Sequence, residues 1–176
     1  ANDKIGLISP KIMYHDTDII QYAGSTKLSF LMRNYNLHHG EKNNPTINAL
    51  RETHYAHGAA MMTRRNTIDK CGDMPEEHFL YYEELDWCEM IKRAGFDIWV
   101  DQSAIIYHKE SMSIGKNNPL KTYYLTRNRL LFKRRNYGYL ETAAFFLYYA
   151  IVIPFKALIA TLRNKSDHAK ALVRGL

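Results

Sequence analysis

Three acids crowd one short stretch of the chain: Glu83, Glu84 and Asp86, within Phe79-Leu-Tyr-Tyr-Glu-Glu-Leu-Asp-Trp-Cys-Glu89. Carboxylates this close repel one another unless a cation or a basic group lies nearby. The aromatic run upstream would limit water, and crowded acids in a partly dry pocket have raised pKa values, which suits a general base. The same acids have a plainer use, since carboxylates in a helix's first turn complement its dipole. That use is sufficient for any one of them and less satisfying for all three. Further along, Ile105-Ile-Tyr-His108-Lys ends a candidate strand. A His beside carboxylates on a neighbouring element can bind a divalent cation such as Mg2+ or Mn2+; alone at a strand end it is an ordinary satisfied polar residue.

The elements that must position these groups are readable in outline. Leu85, Cys88 and Ile91 recur at helical spacing, so Glu84–Ala94 is expected to be a helix that stops at Gly95. Phe96–Val100 and Ser103–Tyr107 read as two strands. Ile5–Ile8 reads as a buried strand stopped by Pro10, and Ile19–Tyr22 as a small one. Thr53–Thr63 is a further strand candidate, and its Gly58-Ala59-Ala60 centre carries almost no side-chain bulk. Small residues there admit either a ligand or tight packing. Arg65–Cys71 is expected to be a short helix ended by Gly72, and residues 33–50 an irregular loop. Pro119–Asn136 reads as a basic helix, Thr142–Leu162 as an apolar segment interrupted by Pro154 and Lys156, and Asp167–Arg174 as a last helix capped by Ser166.

The composition, 46% hydrophobic and 24% charged over 176 residues, supports a folded core and argues against wholesale disorder. The net charge of +6 is unevenly spread. Through His108 there are 11 Lys and Arg against 15 Asp and Glu, a net of −4; from Lys109 onward there are 13 against three, a net of +10. A basic tail containing an apolar run points to an anionic membrane surface more than to nucleic acid. Thirteen tyrosines fit sugar stacking as well as packing at the core or a membrane interface. Cys71 and Cys88 form no metal-binding or CxxC pattern, and reduced thiols in a cytoplasmic setting are the simplest expectation. No signal peptide is visible, and a chain whose fifth residue already opens a strand is expected to be part of something longer.

Taken in order, His57-Gly-Ala-Ala-Met-Met, then Phe79-Leu-Tyr-Tyr-Glu-Glu-Leu-Asp-Trp-Cys, Lys92-Arg-Ala-Gly-Phe, Tyr107-His-Lys and Tyr123-Tyr-Leu-Thr-Arg-Asn-Arg resemble the C-terminal half of family 2 glycosyltransferases, in particular their bacterial rhamnosyltransferase-like group. The opening Ile5–Pro10 with Gln21-Tyr-Ala-Gly24 resembles that family's middle segment, so the resemblance runs along nearly the whole chain. It implies an α/β fold: a partial GT-A (Rossmann-like) sheet with flanking helices over residues 1–117, then a helical, membrane-associating tail over residues 118–176. It implies an inverting transfer from a nucleotide-sugar, such as a UDP- or dTDP-sugar, with a divalent cation as cofactor. The family's Glu-Asp-x-Asp motif reads Glu83-Glu84-Leu85-Asp86 here. Its catalytic aspartate falls on Glu84, whose extra methylene lengthens the reach by about 1 Å. Glu83 and Asp86 complete the catalytic candidates, and His108 matches the metal-coordinating His. Gly58, Ala59, Tyr82 and Trp87 are the candidate substrate-binding residues.

The resemblance also implies a nucleotide-binding half with an Asp-x-Asp motif. Asp16-Thr17-Asp18 has the letters but sits in a polar turn, so the isolated chain is expected to bind nucleotide-sugar poorly and to lack activity. Arg127, Arg129, Lys133, Arg134 and Arg135 ahead of Ala143–Ile153 suit an anionic leaflet, which places the protein at the cytoplasmic face of the membrane, where a lipid-linked saccharide acceptor would be met. The competing expectations are a non-catalytic, membrane-associated module of the same kind and a metal-dependent phosphohydrolase using Glu83, Asp86 and His108, which lacks the further ligands of a two-metal site.

Overall fold

A computed structural model describes residues 2–109 and 117–176. The chain is a mixed α/β protein that divides into two compact units, Ala1–Pro75 with Glu84–Glu110, and Glu76–Glu83 with Ser111–Leu176.

The first unit is built on an open five-stranded sheet. Its centre is β1 (Ile5–Tyr14), which pairs in parallel with β5 (Asp97–His108). On the other side of β1 lie β2 (Ile20–Tyr22) and β4 (Met62–Thr63), both antiparallel, while β3 (Leu50–Glu52) runs antiparallel along β5. One parallel pair among antiparallel neighbours gives the α/β class; it does not by itself identify a GT-A arrangement. Leu7, Ile12, Met13, Ile20, Ile98 and Val100 form the apolar interior. Two helices belong to this unit, α1 (Arg65–Cys71) and α2 (Glu83–Arg93), the first residue of α2 falling in the second unit. Gly95, at φ 88°, turns the chain from α2 back into β5, and Phe96 N–H closes the turn on Ile91 O. Both cysteines are free; burial pushes the Cys88 thiol up to about 12.

Several elements differ from expectation. Pro10 does not stop β1. It lies where the β1–β5 register jumps, Pro10 facing Asp101 and Lys11 facing Ile105, and a residue without an N–H is tolerated at such an irregularity. The two strands expected at 96–107 are accordingly one, with Ser103 and Ala104 folded over the Asp101 carboxylate. Thr53–Thr63 is not a strand. Only Met62 and Thr63 pair with β1, and His57–Ala60 is a turn closed by Ala60 N–H on His57 O. Without bulk at 58–60 nothing favours a pleated ladder there.

The second unit is helical: α3 (Pro119–Asn136), α4 (Tyr139–Leu162) and α5 (Ser166–Arg174), preceded in sequence by the short 3-10 turn Glu76–His78. Asn118 caps α3 by accepting from Leu120 N–H, with Pro119 at the first helical position. Ser166 does not cap α5; it is the first helical residue, and Lys165 stands at the cap without a side-chain bond. Phe132, Phe145, Tyr149 and Ile153 fill the core. Pro154 lies inside α4 without ending it. Buried Phe145, Tyr149, Ile153 and Ala157 share one face of α4. Leu140, Leu147, Ile151, Leu158 and Leu162 recur on the opposite face, all exposed.

Candidate functional site

Helix α2 buries Leu85, Asp86, Trp87, Cys88 and Ile91. Its hydrophobic positions supply the packing, and its three early acids lie at the end of the helix where the dipole favours negative charge. Asp86 is fully buried, and Glu84 half-buried. The segment 55–56 is stitched to this helix. Tyr55 Oη donates to Glu89 Oε1 at 2.6 Å, Lys92 Nζ donates to the same oxygen at 2.6 Å and stands over the Tyr55 ring, and Ala56 N–H reaches Cys88 Sγ. Ser9 Oγ then ties the following turn to β1 by donating to Ala60 O at 2.8 Å.

These ties hold Gly58 against Glu84. A β-carbon on residue 58 would lie 3.7 Å from Glu84 Cβ and Cγ and 3.8 Å from its carboxyl carbon. Gly58 and Ala59 are both exposed, and residue 58 puts no side chain of its own beside Glu84.

His108 closes β5 opposite Tyr14, and its Nδ1 lies 3.0 Å from Gln21 Oε1. With the amide oxygen as acceptor, Nδ1 is the donor in this contact and Nε2 is the ring nitrogen not used by it, as in a metal-ligating His oriented by a second partner. His57 stacks edge-on to His108 with ring centroids 6.0 Å apart, and its Nδ1 accepts the Ala59 N–H. The turn at 57–58 therefore touches both predicted groups: His57 meets His108, and Gly58 meets Glu84. His57 was not among the predicted site residues, although it opens the His57-Gly-Ala-Ala-Met-Met motif. Among the described residues no group of three His, Cys, Asp or Glu side chains could hold a metal ion. His108 thus fits a single ligand of a metal and not a closed metal site.

The other predicted residues lie as follows. Trp87 is buried, and its indole N–H donates to Gly72 O at the end of α1. Tyr82 is buried in the second unit against Phe132, and its hydroxyl accepts from Arg129 Nε at 2.8 Å. Glu83 encloses one carboxylate oxygen, Oε2, that has no hydrogen-bond partner among the described residues. Just upstream, Phe79, Tyr81 and Tyr82 all adopt positive φ, between 60° and 75°. Asp16-Thr17-Asp18 forms the turn that leaves β1, with Asp16 at φ 58°, and borders an open groove of about 870 Å3 with His15, Asn43 and Tyr107.

The basic residues of α3 are largely engaged inside the second unit. Arg135 pairs with Glu77 at 2.6 Å, Arg127 donates to Glu77 O, and Lys133, almost fully buried, lies 3.5 Å over the Tyr137 ring and 3.4 Å from Glu141. With Arg129 on Tyr82, four of the five cations expected at a leaflet have a partner within the second unit, those of Arg127 and Arg135 at its surface.

No family model matches the chain. Over 83 residues it is 29% identical to the low-salt glycan biosynthesis hexosyltransferase Agl10 of Haloferax volcanii. The matched stretch covers 47% of this chain and 27% of that protein, so the chain spans only about a quarter of the relative's length. This similarity supports a relationship to glycosyltransferases in general.

Proposed function

We propose that this chain is the acceptor-side part of an inverting, family 2-like glycosyltransferase that moves a sugar from a nucleotide-sugar to a lipid-linked or polysaccharide acceptor. The observation that carries the reading is Gly58 against Glu84, which leaves a half-buried carboxylate beside an exposed residue that has no side chain. An acceptor hydroxyl approaching there loses its proton to Glu84 as its oxygen attacks the anomeric carbon, and the nucleoside diphosphate departs. A single displacement inverts the anomeric configuration. Gly58 and Ala59 border the reacting groups, while Trp87 and Tyr82 support their elements from within. Asp86 and Glu83 stand beside the base on the same helix and complete the acid motif.

His108 would hold Mg2+ or Mn2+ through Nε2 as one ligand of a larger set, and a cation bound there supplies charge neutralisation for the leaving diphosphate. The apolar helix α4 is long and apolar enough to cross a membrane by length and composition. Its face carrying Phe145, Tyr149 and Ile153 is packed in the second unit, which favours seating at the cytoplasmic surface over spanning.

The test is made on the full-length protein that carries this chain. Glu84→Gln removes the base at nearly constant shape and is expected to lower transfer by about 10²–10⁴-fold while sparing donor binding. His108→Ala is expected to weaken cation and donor binding. Undiminished transfer by Glu84→Gln would overturn Glu84 as the base, and a wild type that transfers no sugar would leave the non-catalytic, membrane-associated module as the better reading.

A further inference from the structure

The segment leading into the acid motif is held in an unusual shape. Phe79, Tyr81 and Tyr82 have φ of 60°, 65° and 75°, a region that bulky L-residues avoid because the β-carbon meets the adjoining backbone. No glycine relieves it. Such a conformation persists only where its surroundings over-determine it.

One side chain supplies much of that determination. The Asn128 amide nitrogen lies 2.9 Å from His78 O, 2.7 Å from Leu80 O and 2.8 Å from Tyr81 O. All three partners are carbonyl oxygens, so the atom facing them must be the donor, and the orientation of the amide is fixed by chemistry. Asn128 is fully buried, and its own oxygen is enclosed with no hydrogen-bond partner among the described residues. A buried amide that leaves its acceptor unmet is a poor choice for stability alone. Its neighbours act on the same segment, Arg127 on Glu77 O and Arg129 on the Tyr82 hydroxyl. Three consecutive residues of α3 thus grip residues 77–82, and Glu83 and Glu84 follow directly in the chain.

We propose that Asn128 is a positioning residue of the transfer reaction: its amide gathers the carbonyls of residues 78, 80 and 81 and so fixes the strained segment from which the acid motif continues. The inference rests on the glycosyltransferase reading above. Asn128 touches no reacting atom in this role. It sets the backbone of residues 78–81, from which the chain runs on into Glu83.

The experiment compares wild type, Asn128→Asp and Asn128→Leu in the full-length protein. Asn128→Asp keeps the shape and removes the donors; Asn128→Leu removes donors and orphan acceptor together, and serves if the buried charge of the first prevents folding. Two quantities are read: transfer kinetics, and hydrogen–deuterium exchange by mass spectrometry. The expected result is at least tenfold faster exchange confined to peptides covering 77–84, with kcat reduced at least thirtyfold and donor KM within about twofold of wild type. Faster local exchange with unchanged kcat overturns the positioning role. So does exchange that accelerates evenly over the whole chain, or failure of both variants to fold, since Asn128 would then serve stability alone. A wild type that transfers no sugar overturns the glycosyltransferase reading and the inference with it. An active wild type with unaffected variants overturns the inference only.

Discussion

Gly58 lies against the side chain of Glu84 at ordinary van der Waals distance, 3.7 Å from an ideal β-carbon at 58 to both Cβ and Cγ of the glutamate. The spacing decides what substitution does there. An alanine fits without moving either group, and the residue is exposed with no positive φ to strain a side chain. Gly58→Ala is expected to change stability by less than about 0.5 kcal/mol. Gly58→Leu is expected to fold equally well and to screen the carboxylate, cutting transfer by at least about tenfold through loss of reactive geometry. Equal stability with wild-type turnover for the leucine variant would separate Gly58 from the chemistry.

Gly6 is the opposite case. A β-carbon there would sit 2.5 Å from Phe96 Cβ and 2.9 Å from Ile91 Cγ2, where β1 starts beneath the end of α2. Phe96 Cβ is anchored to its own backbone and cannot swing aside. Gly6→Ala is expected to destabilise the protein by about 1–3 kcal/mol, the usual cost of overpacking a tight interior. Urea unfolding measures it, and an unchanged midpoint would mean that β1 and Phe96 separate easily.

Much of this was legible in the sequence where local rules decide the outcome. Helical spacing with glycine or proline punctuation located α1, α2 and α3 to within a residue or two, because their apolar positions and stops agree. Pro10 misled, because a proline at a register jump looks like one that ends a strand until the partner strand is known. Thr53–Thr63 misled for the same reason: apolar content without bulk does not distinguish a strand from a turn tied down by distant side chains such as Ser9 and Cys88. At the candidate site the acids, Gly58 and His108 stood out by type. Their meetings did not, since residue 58 reaches residue 84 only through the fold. Tyr82 and Trp87 show the limit of residue type, because an aromatic beside an acid motif reads alike whether it stacks on a ligand or fills a core. The cations of α3 show it for charge, because Arg129 and Lys133 looked like a surface patch and are internal partners, while Arg135 stays at the surface paired with Glu77.

Asp101 makes the acid response of the first unit partly predictable. Its carboxylate accepts from Ser103 Oγ at 2.6 Å and from the Ser103 and Ala104 N–H groups, and these bonds hold its pKa below the ordinary value against the opposing effect of burial. A carboxylate whose folded pKa is depressed contributes stability in full above its unfolded pKa of about 3.9. That contribution is lost as pH falls through the folded value. Asp101→Asn cannot titrate. It is expected to be less stable than wild type at pH 7, with the difference shrinking as pH drops below about 4. Denaturant unfolding at several pH values between 7 and 2.5 measures it; a difference independent of pH would show that Asp101 acts through shape and not charge.

The exposed face of α4 carries the last prediction. Leu140, Leu147, Ile151, Phe155, Leu158 and Leu162 fall along one side of a 24-residue helix whose other side is packed. So broad an apolar stripe is costly to leave in water. Lys133 is buried, and among the exposed cations of this unit, which include Arg134, Arg135, Lys156, Arg163, Lys165, Lys170 and Arg174, Arg135 and Lys170 already face Glu77 and Asp167. Binding to vesicles is therefore expected to be driven mainly by apolar burial, with a modest electrostatic share. In co-sedimentation, the chain should bind vesicles containing anionic phospholipid several-fold better than neutral ones, and raising salt should remove only that several-fold advantage. Leu147→Glu with Ile151→Glu should weaken binding at least about tenfold, because two apolar contacts are replaced by charges that an anionic surface repels. Both positions are exposed, so the variant is expected to keep its thermal midpoint. A double variant that binds like wild type would mean that α4 does not meet the membrane through this face.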